Sequence, residues 1–543
     1  MRRYLREHTN PPVFIVSGAV ILLFVLAGVV FTDQTAATAG AAQDFIVTYF
    51  GWLYIIAISF FLIFAVGMLF TRYGNVRLGP DGASPEYGTL AWFAMLYTAG
   101  MGIGLVYFAV SEPITHFTSP PNGGGGTQAD ATQAINYAFF HWGLHPWATY
   151  IILGLSLAYF GFRKGLPLKP SAPFYSLIGE RIHGPIGHAI DVLAVFGTIF
   201  GLATSLGIGA QQIGAGLNNV LGLPSGTGVQ ILLVAVITAV ASVSVVLGLD
   251  KGIRRLSLIA LFLSVALALF VFIAGPTLFI LRALPVNVGY YAQNLLATSF
   301  ETFYLSESGR EWQSAWTLFY WGWWISWSPF VGMFLARISY GRTIREFVTG
   351  VLLAPAGASF VWFTIFGDTT LNLLLSGDGG GLEQAGSSTA LFVFLGQLPV
   401  ATTLSTLASV VAIVIIVLYF ATSSDSGSLV VDIITNGGDP KPLWPQRLFW
   451  ALLVGAVAAA LLLVGGLTAL QTASIAAGLP LAFVLLAMCV ALGRGLRGER
   501  LPSTRPEPGR DTRPPDPGQK ATYSHGDPAP QRIFINHRDG GQE

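Results

Sequence analysis

The chain has 543 residues, of which 53% are hydrophobic and 10% charged, and its mean hydropathy is +0.64. Ordinary soluble domains carry about a quarter charged residues, so this composition excludes them and points to a polytopic helical membrane protein. The formal net charge of +1 selects no nucleic-acid partner, and the single cysteine, Cys489, excludes an intrachain disulfide.

Taken in order, the apolar runs predict about 12 spans of bilayer length. They cover 13–32, 45–70, 89–110, 134–160, 188–217, 228–249, 256–281, 313–336, 345–370, 403–434, 446–465 and 468–492. The first run follows a basic start but has no small-residue cleavage site after it, so it reads as a retained span. Arg2, Arg3 and Arg6 precede span one, and Arg72 and Arg77 follow span two. Arg163, Lys164 and Lys169 follow span four; Lys251, Arg254 and Arg255 follow span six. Arg337, Arg342 and Arg345 follow span eight; Lys441 and Arg447 follow span ten. The alternate loops 33–44, 111–133, 218–227 and 371–402 contain no Lys or Arg. The positive-inside rule then places both termini in the cytoplasm.

Two segments are not simple spans. Residues 282–312 mix Arg282, Glu301, Glu307, Arg310 and Glu311 with apolar residues and predict an amphipathic helix on the external face. Residues 371–402 open with a Gly-rich loop and include a short apolar piece at 391–400, too short to span, which is either re-entrant or a cover over an entrance. The tail from Arg494 is rich in Pro, Gly, Arg and Asp and is expected to be disordered.

Five stretches carry chemistry. The segment 98–104, Thr-Ala-Gly-Met-Gly-Ile-Gly, has three glycines at alternate positions inside span three. Each costs a helix about 1 kcal/mol relative to Ala, so the repeat serves either close helix packing or an unwound turn lining a cavity. The segment 141–150 contains His141, Trp142, His145, Pro146, Trp147 and Tyr150. Trp147 and Tyr150 share a helix face and Pro146 permits a distortion. The two histidines have a metal-compatible spacing but no acidic or third ligand nearby in sequence, which favours structural hydrogen bonding.

The segment 200–209 is small, polar and glycine-dotted, and Ser205 lines a site only if other motifs meet it there. The segment 315–345 places Trp316, Trp321, Trp323, Trp324 and Trp327 on one span. At roughly 100° per residue Tyr320, Trp324 and Trp327 share a face with Trp321 beside them. Tryptophan usually marks the membrane interface, so a stripe at mid-depth serves either core packing or a cage for a quaternary ammonium held by ring quadrupoles. The segment 419–428 runs Tyr-Phe-Ala-Thr-Ser-Ser-Asp-Ser-Gly-Ser. Its hydroxyls either bond back to their own helix or hold a hard cation such as sodium, and Asp425 is a proton carrier or a brace.

The glycine repeat with Ser111-Glu112-Pro113, the 141–150 and 316–345 segments, Asn10-Pro11-Pro12-Val13-Phe14 and Val76-Arg77-Leu78-Gly79 together resemble the betaine/choline/carnitine transporter family over about 10–492. The resemblance implies an all-α, LeuT-type 5+5 inverted repeat with two additional N-terminal helices, and a homotrimer. The implied divisions are 1–12, a cytoplasmic N-terminus; 13–88, two helices and a loop; 89–281, the first repeat; 282–312, the external helix; 313–492, the second repeat; and 493–543, the tail. It also implies a substrate site formed by Trp142, Trp147, Tyr150 and Trp324, with Trp321 and Trp323 adjacent and Gly100, Met101, Gly104 and Ser205 contributing. Tyr107, Trp327 and Phe330 match a cytoplasmic gate. A sodium site falls on Thr98, Met101, Tyr419, Thr422 and Ser423. A second uses two threonines of span five, of which only Thr198 matches and Leu202 stands at the other position.

The implied activity is import of a quaternary-ammonium compatible solute, glycine betaine first, coupled to sodium across the plasma (inner) membrane. No cofactor is expected beyond sodium as the coupling ion. The alternatives are choline, ectoine or carnitine as substrate, and proton coupling or sodium-independent exchange. An enzyme is set aside, because histidines and carboxylates do not converge at any spacing in the sequence.

Overall fold

The computed structural model describes residues 9–100, 102–247, 250–440 and 443–499, with the side chains of 97–100, 247 and 250–254 outside that description. Among the described residues every regular element is a helix. In chain order these are α1 Pro11–Val30, α2 Thr32–Phe70, α3 Thr89–Gly100, α4 Ile103–Thr118, α5 Gln128–Trp142, α6 Leu144–Ala158 and α7 Pro185–Leu221. There follow α8 Thr227–Leu247, α9 Asp250–Ala274, α10 Thr277–Ser299, α11 Glu307–Gln313, α12 Phe319–Ile338 and α13 Ile344–Phe363. The last are α14 Thr369–Ser376, α15 Ala390–Gln397, α16 Thr402–Thr435 and α17 Trp444–Arg497. Short helical turns lie at Arg72–Asn75 and between 159 and 183.

Eight helices are long and apolar enough to cross a bilayer among the described residues, against the twelve spans expected. The difference is physical. The expected spans at 89–110 and 134–160 are each two shorter helices end to end, and the span at 313–336 is diluted by Trp, Tyr and Gly. The last two expected spans follow each other within α17, which is broken at Gly465–Gly466. Gly466, at φ 58 and ψ −130, occupies backbone space that an L side chain rarely adopts, and this lets the chain change direction there.

Two further expectations are corrected, and a third, left open between two readings, is narrowed. Residues 33–44, read as a loop, form the first turns of α2; the stretch is alanine-rich, and alanine's helix propensity acts where hydropathy is low. The amphipathic helix runs Thr277–Ser299, with Ile280, Asn287 and Tyr291 buried and Leu278, Leu281 and Val286 exposed. Glu301 falls in the following loop, and Glu307, Arg310 and Glu311 fall on α11. The short apolar piece at 391–400 is α15, whose Phe394 packs on Phe366 and whose Phe392 reaches Gly216 of α7. It covers the bundle and does not span it.

The site is positioned by two helix breaks. Gly102, in extended backbone at φ −161 and ψ −178, separates α3 from α4. Gly143, at φ −95 and ψ −126, separates α5 from α6. Pro146 accounts for the second break: it has no N–H to bond the carbonyl four residues back, and its ring crowds that carbonyl. The helix α12 packs against α6 and α7, and α4 packs against α5. Gly104, beside the first break, meets Trp323 of α12, and α6, which starts at the second break, packs along α12.

Candidate functional site

A cavity between the two breaks and α12 is lined by Gly102, Gly104, Leu105, Trp142, Pro146, Trp147, Tyr150, Trp323, Trp324, Trp327 and Ser359. No charged side chain is among these residues. Trp323 and Trp324 stack at 4.8 Å with 12° between planes. Trp142 meets Trp324 edge-on at 4.9 Å, and Trp147 meets Tyr150 edge-on at 5.4 Å. Tyr150 closes the ring at 6.4 Å from Trp324. Four of the rings predicted for a box, Trp142, Trp147, Tyr150 and Trp324, line one cavity together with Trp323.

Hydrogen bonds fix the indoles. Trp324 Nε1 donates to the His141 carbonyl at 2.9 Å. That carbonyl sits in the last turn of α5, where carbonyls lack intrahelical partners. Trp323 Nε1 donates to the Gly201 carbonyl of α7 at 3.2 Å. Trp142 Nε1 donates to Glu112 Oε2 at 2.8 Å. The indole N–H of Trp327, which also lines the cavity, is buried without a partner.

Gly104 is tightly enclosed. A β-carbon there would lie 2.5 Å from Cη2 of Trp323 and 2.9 Å from Cη2 of Trp142. Absence of a side chain lets the two rings approach the broken helix. The glycine repeat thus serves both readings open in the sequence: a helix break at Gly102 and close packing at Gly104.

Other expected members lie elsewhere. Trp321 packs on Phe140 at 4.9 Å and stacks on His145 at 5.6 Å, outside the cavity. Ser205 donates to the Gly201 carbonyl of its own helix at 3.2 Å and does not line the cavity. Trp327 and Phe330 pair at 5.4 Å. Tyr107 pairs with Phe108 and stands on the opposite side of the box from Trp327. The reason is that α4 and α12 run antiparallel: Gly104 meets Trp323, whereas Phe108 meets Phe319 and Trp316. Gly100 ends α3, while Met101 and the side chain of Thr98 lie outside the described residues.

The helices expected to hold a cation converge at the first break. Gly209 of α7 lies between Ile103 of α4 and Phe420 of α16, with its β-carbon position 3.1 Å from Ile103 and 3.5 Å from Phe420. Thr422 is buried and its hydroxyl donates to the carbonyls of Leu418 at 2.9 Å and Tyr419 at 3.3 Å. Ser423 beside it is half-buried. The Tyr419 hydroxyl bonds Ser264 at 3.0 Å. Thr198 donates to the Ala194 carbonyl at 2.7 Å. Leu202, at the position where a second threonine is expected, fills the space against Gly427 of α16. Asp425 is a brace: Arg447 Nη2 donates to its Oδ2 at 2.6 Å, linking α16 to α17.

One arrangement is not legible in sequence spacing. Glu112 of α4, fully buried, gathers four donors. Oε2 accepts from the Tyr320 hydroxyl at 2.6 Å and Trp142 Nε1 at 2.8 Å. Oε1 is reached by His141 Nδ1 at 2.7 Å and His116 Nε2 at 3.2 Å. His141 Nε2 bonds the Thr317 hydroxyl at 3.0 Å. His145 turns away and bonds Ser299 at 2.9 Å. Both histidines of the 141–145 pair thus have structural hydrogen bonds, and the acidic neighbour missing from the local sequence comes from α4. Glu112, His116 and His141 offer three metal-ligating atoms within 4.8 Å of one another. The 2.7 Å contact between two of them is a hydrogen bond that leaves no room for an ion.

A bundle of apolar helices, two of them broken around an aromatic cavity, defines a multi-pass membrane transporter of the broken-helix type. The sequence profile of the betaine/carnitine/choline family transporters matches residues 12–501, and the chain belongs to that family. It is a transporter and not an enzyme. It is 44% identical to a glycine betaine transporter of Acinetobacter baylyi, over 90% of this chain and 73% of that protein. It is 42% identical to a glycine betaine transporter of Bacillus subtilis, over 90% and 94% of the two chains. It is 43% identical to a glycine betaine/proline/choline transporter of Vibrio parahaemolyticus, over 91% of each.

Proposed function

We propose that this protein imports glycine betaine, driven by inward sodium. The observation that carries the reading is the cavity itself, walled by Trp142, Trp147, Tyr150, Trp323 and Trp324 without a charged lining residue. A trimethylammonium group has no N–H to donate, so ring faces are the partners it can use, and each desolvated contact is worth about 2 kcal/mol or more. The unpartnered Trp327 N–H offers a donor to the carboxylate of a zwitterion. Gly104 adds no negative charge that would repel that carboxylate. Three relatives carry glycine betaine in their names, which supports the same substrate.

Sodium sits between the first helix break and α16, held by Thr422 and Ser423 hydroxyls, the Tyr419 carbonyl and the carbonyls of Thr98 and Met101. The convergence of α4, α7 and α16 at Gly209 supports this placement. One sodium of this kind is proposed and not two, because Leu202 offers no oxygen beside Thr198. The two inverted repeats at 89–281 and 313–492, the trimer and the placement in the plasma (inner) membrane follow from the family resemblance. The cytoplasmic termini follow from loop charge.

Uptake of labelled glycine betaine by proteoliposomes with and without a sodium gradient tests the reading. Accumulation that requires the sodium gradient supports it. Accumulation that follows an imposed pH gradient and ignores sodium overturns the coupling.

A further inference from the structure

We propose that Glu112 is a positioning residue that sets both the geometry and the electron density of the aromatic box, and so makes the box prefer a cation over a neutral group of the same shape. The inference rests on the box being the substrate site.

Glu112 does not line the cavity. It stands one ring behind it, 0% exposed, with both oxygens committed to donors. Indole Nε1 can only donate, and the two imidazoles reach a group that otherwise only accepts. A protonated carboxyl would place a hydrogen against one of these four donors and lose an acceptor, so the arrangement fits the carboxylate. His141 Nε2 bonds the Thr317 hydroxyl and His116 Nδ1 is buried without a partner, so each ring reaches Glu112 through a single nitrogen. Among the described residues no Lys or Arg pairs with Glu112. A buried charge of this kind is costly unless hydrogen-bonded, and four bonds of the charge-assisted type hold it.

The bonds lead directly to the box. The Trp142 proton points at Glu112 Oε2, and the Trp142 ring meets Trp324 at 4.9 Å. The Tyr320 proton points at the same oxygen, and the Tyr320 ring stacks on Trp324 at 5.7 Å and 18°. His141 hands on the third link, since its carbonyl accepts the Trp324 indole. Glu112 therefore orients two walls of the box from behind. Donation of the indole and phenol protons to an anion also shifts electron density into their rings. The ring faces become more negative, and a cation in front of them is held more strongly than by the same rings donating to a neutral acceptor.

Competition against labelled glycine betaine uptake in proteoliposomes tests this. The competitors are unlabelled glycine betaine and 3,3-dimethylbutanoate, which keeps the shape and carboxylate but replaces the quaternary nitrogen by carbon. Wild type should prefer betaine strongly; equal competition by both compounds would overturn the aromatic-box reading itself. Given that preference, Glu112→Gln should lower the betaine-to-isostere ratio about tenfold through lost betaine affinity, and Glu112→Asp should recover part of it. His116→Lys provides an independent arm, because it leaves Glu112 bonded to Trp142 and Tyr320 while setting an ammonium against Oε1. It should lower the ratio as well, and it decides the matter if Glu112→Gln does not accumulate in membranes. A purely structural role weakens both competitors alike; an unchanged ratio in the folded variants overturns the proposal.

Discussion

Gly104 shows how much one residue decides. Its β-carbon position falls against both Trp323 and Trp142, and each of those indoles is tethered, to Gly201 and to Glu112. Neither ring can yield without breaking a buried bond. Gly104→Ala should therefore cost about 1–3 kcal/mol of overpacking at the site and raise the apparent substrate constant at least severalfold. Gly104→Asp adds a carboxylate facing the cavity, which repels a zwitterion's carboxylate and offers choline's hydroxyl a partner. The betaine-to-choline competition ratio should fall, since specificity is a difference of two affinities. An unchanged ratio shows that Gly104 does not set the choice. The tryptophan stripe of 316–327 and the glycine repeat were legible in the sequence because each is a local pattern, whereas the grouping of Trp142, Trp147 and Tyr150 with Trp324 came from the family resemblance. Glu112 was visible only as part of a motif, because its partners His141, Trp142 and Tyr320 lie on other helices. The signal available was its charge inside a span, which is expensive in lipid and marks function. Trp321 was misplaced because neighbours on one helix face opposite sides of a bundle, which periodicity alone does not assign.

At the scale of elements, breaks and braces matter more than spans. The apolar runs read out most helix positions. They failed where a helix is alanine-rich, as at 33–44, and where two helices meet end to end, as at Gly102 and Gly143. Hydropathy measures lipid compatibility, and a break lining a cavity leaves no trace in it. One brace lies outside the spans. Glu499, just past α17, bonds Arg163 at 2.8 Å, Lys164 at 2.5 Å and the Tyr159 hydroxyl at 2.7 Å. Burial raises its pKa, but the bonds from Arg163, Lys164 and Tyr159 outweigh that and lower it from 4.5 to about 2. A depressed carboxylate pKa contributes stability that is present above 4.5 and lost as pH falls toward 2. Glu499→Gln should lower the thermal midpoint of the purified protein at pH 7. The gap from wild type should be constant across pH 5–8 and shrink below the ordinary value of 4.5. A gap that widens on acidification contradicts the brace.

For the whole molecule, coupling means that two ligands favour one conformation. The broken α3–α4 pair touches both candidate sites, presenting Gly104 to the box and Ile103 to α7 and α16. Thr422→Ala with Ser423→Ala should abolish sodium-stimulated uptake while leaving weak substrate binding. Full sodium stimulation in the double variant would move the ion elsewhere. Trp324 is the residue on which the account turns, because it faces Trp142, Trp323 and Tyr150 and closes the box. The most direct measurement is equilibrium binding of labelled glycine betaine to purified wild type and Trp324→Leu, in sodium. A lost cation–π contact of about 2 kcal/mol predicts a dissociation constant about 30-fold higher in a variant that stays folded. Undiminished binding by a well-folded Trp324→Leu protein would contradict the assignment of this cavity as the substrate site.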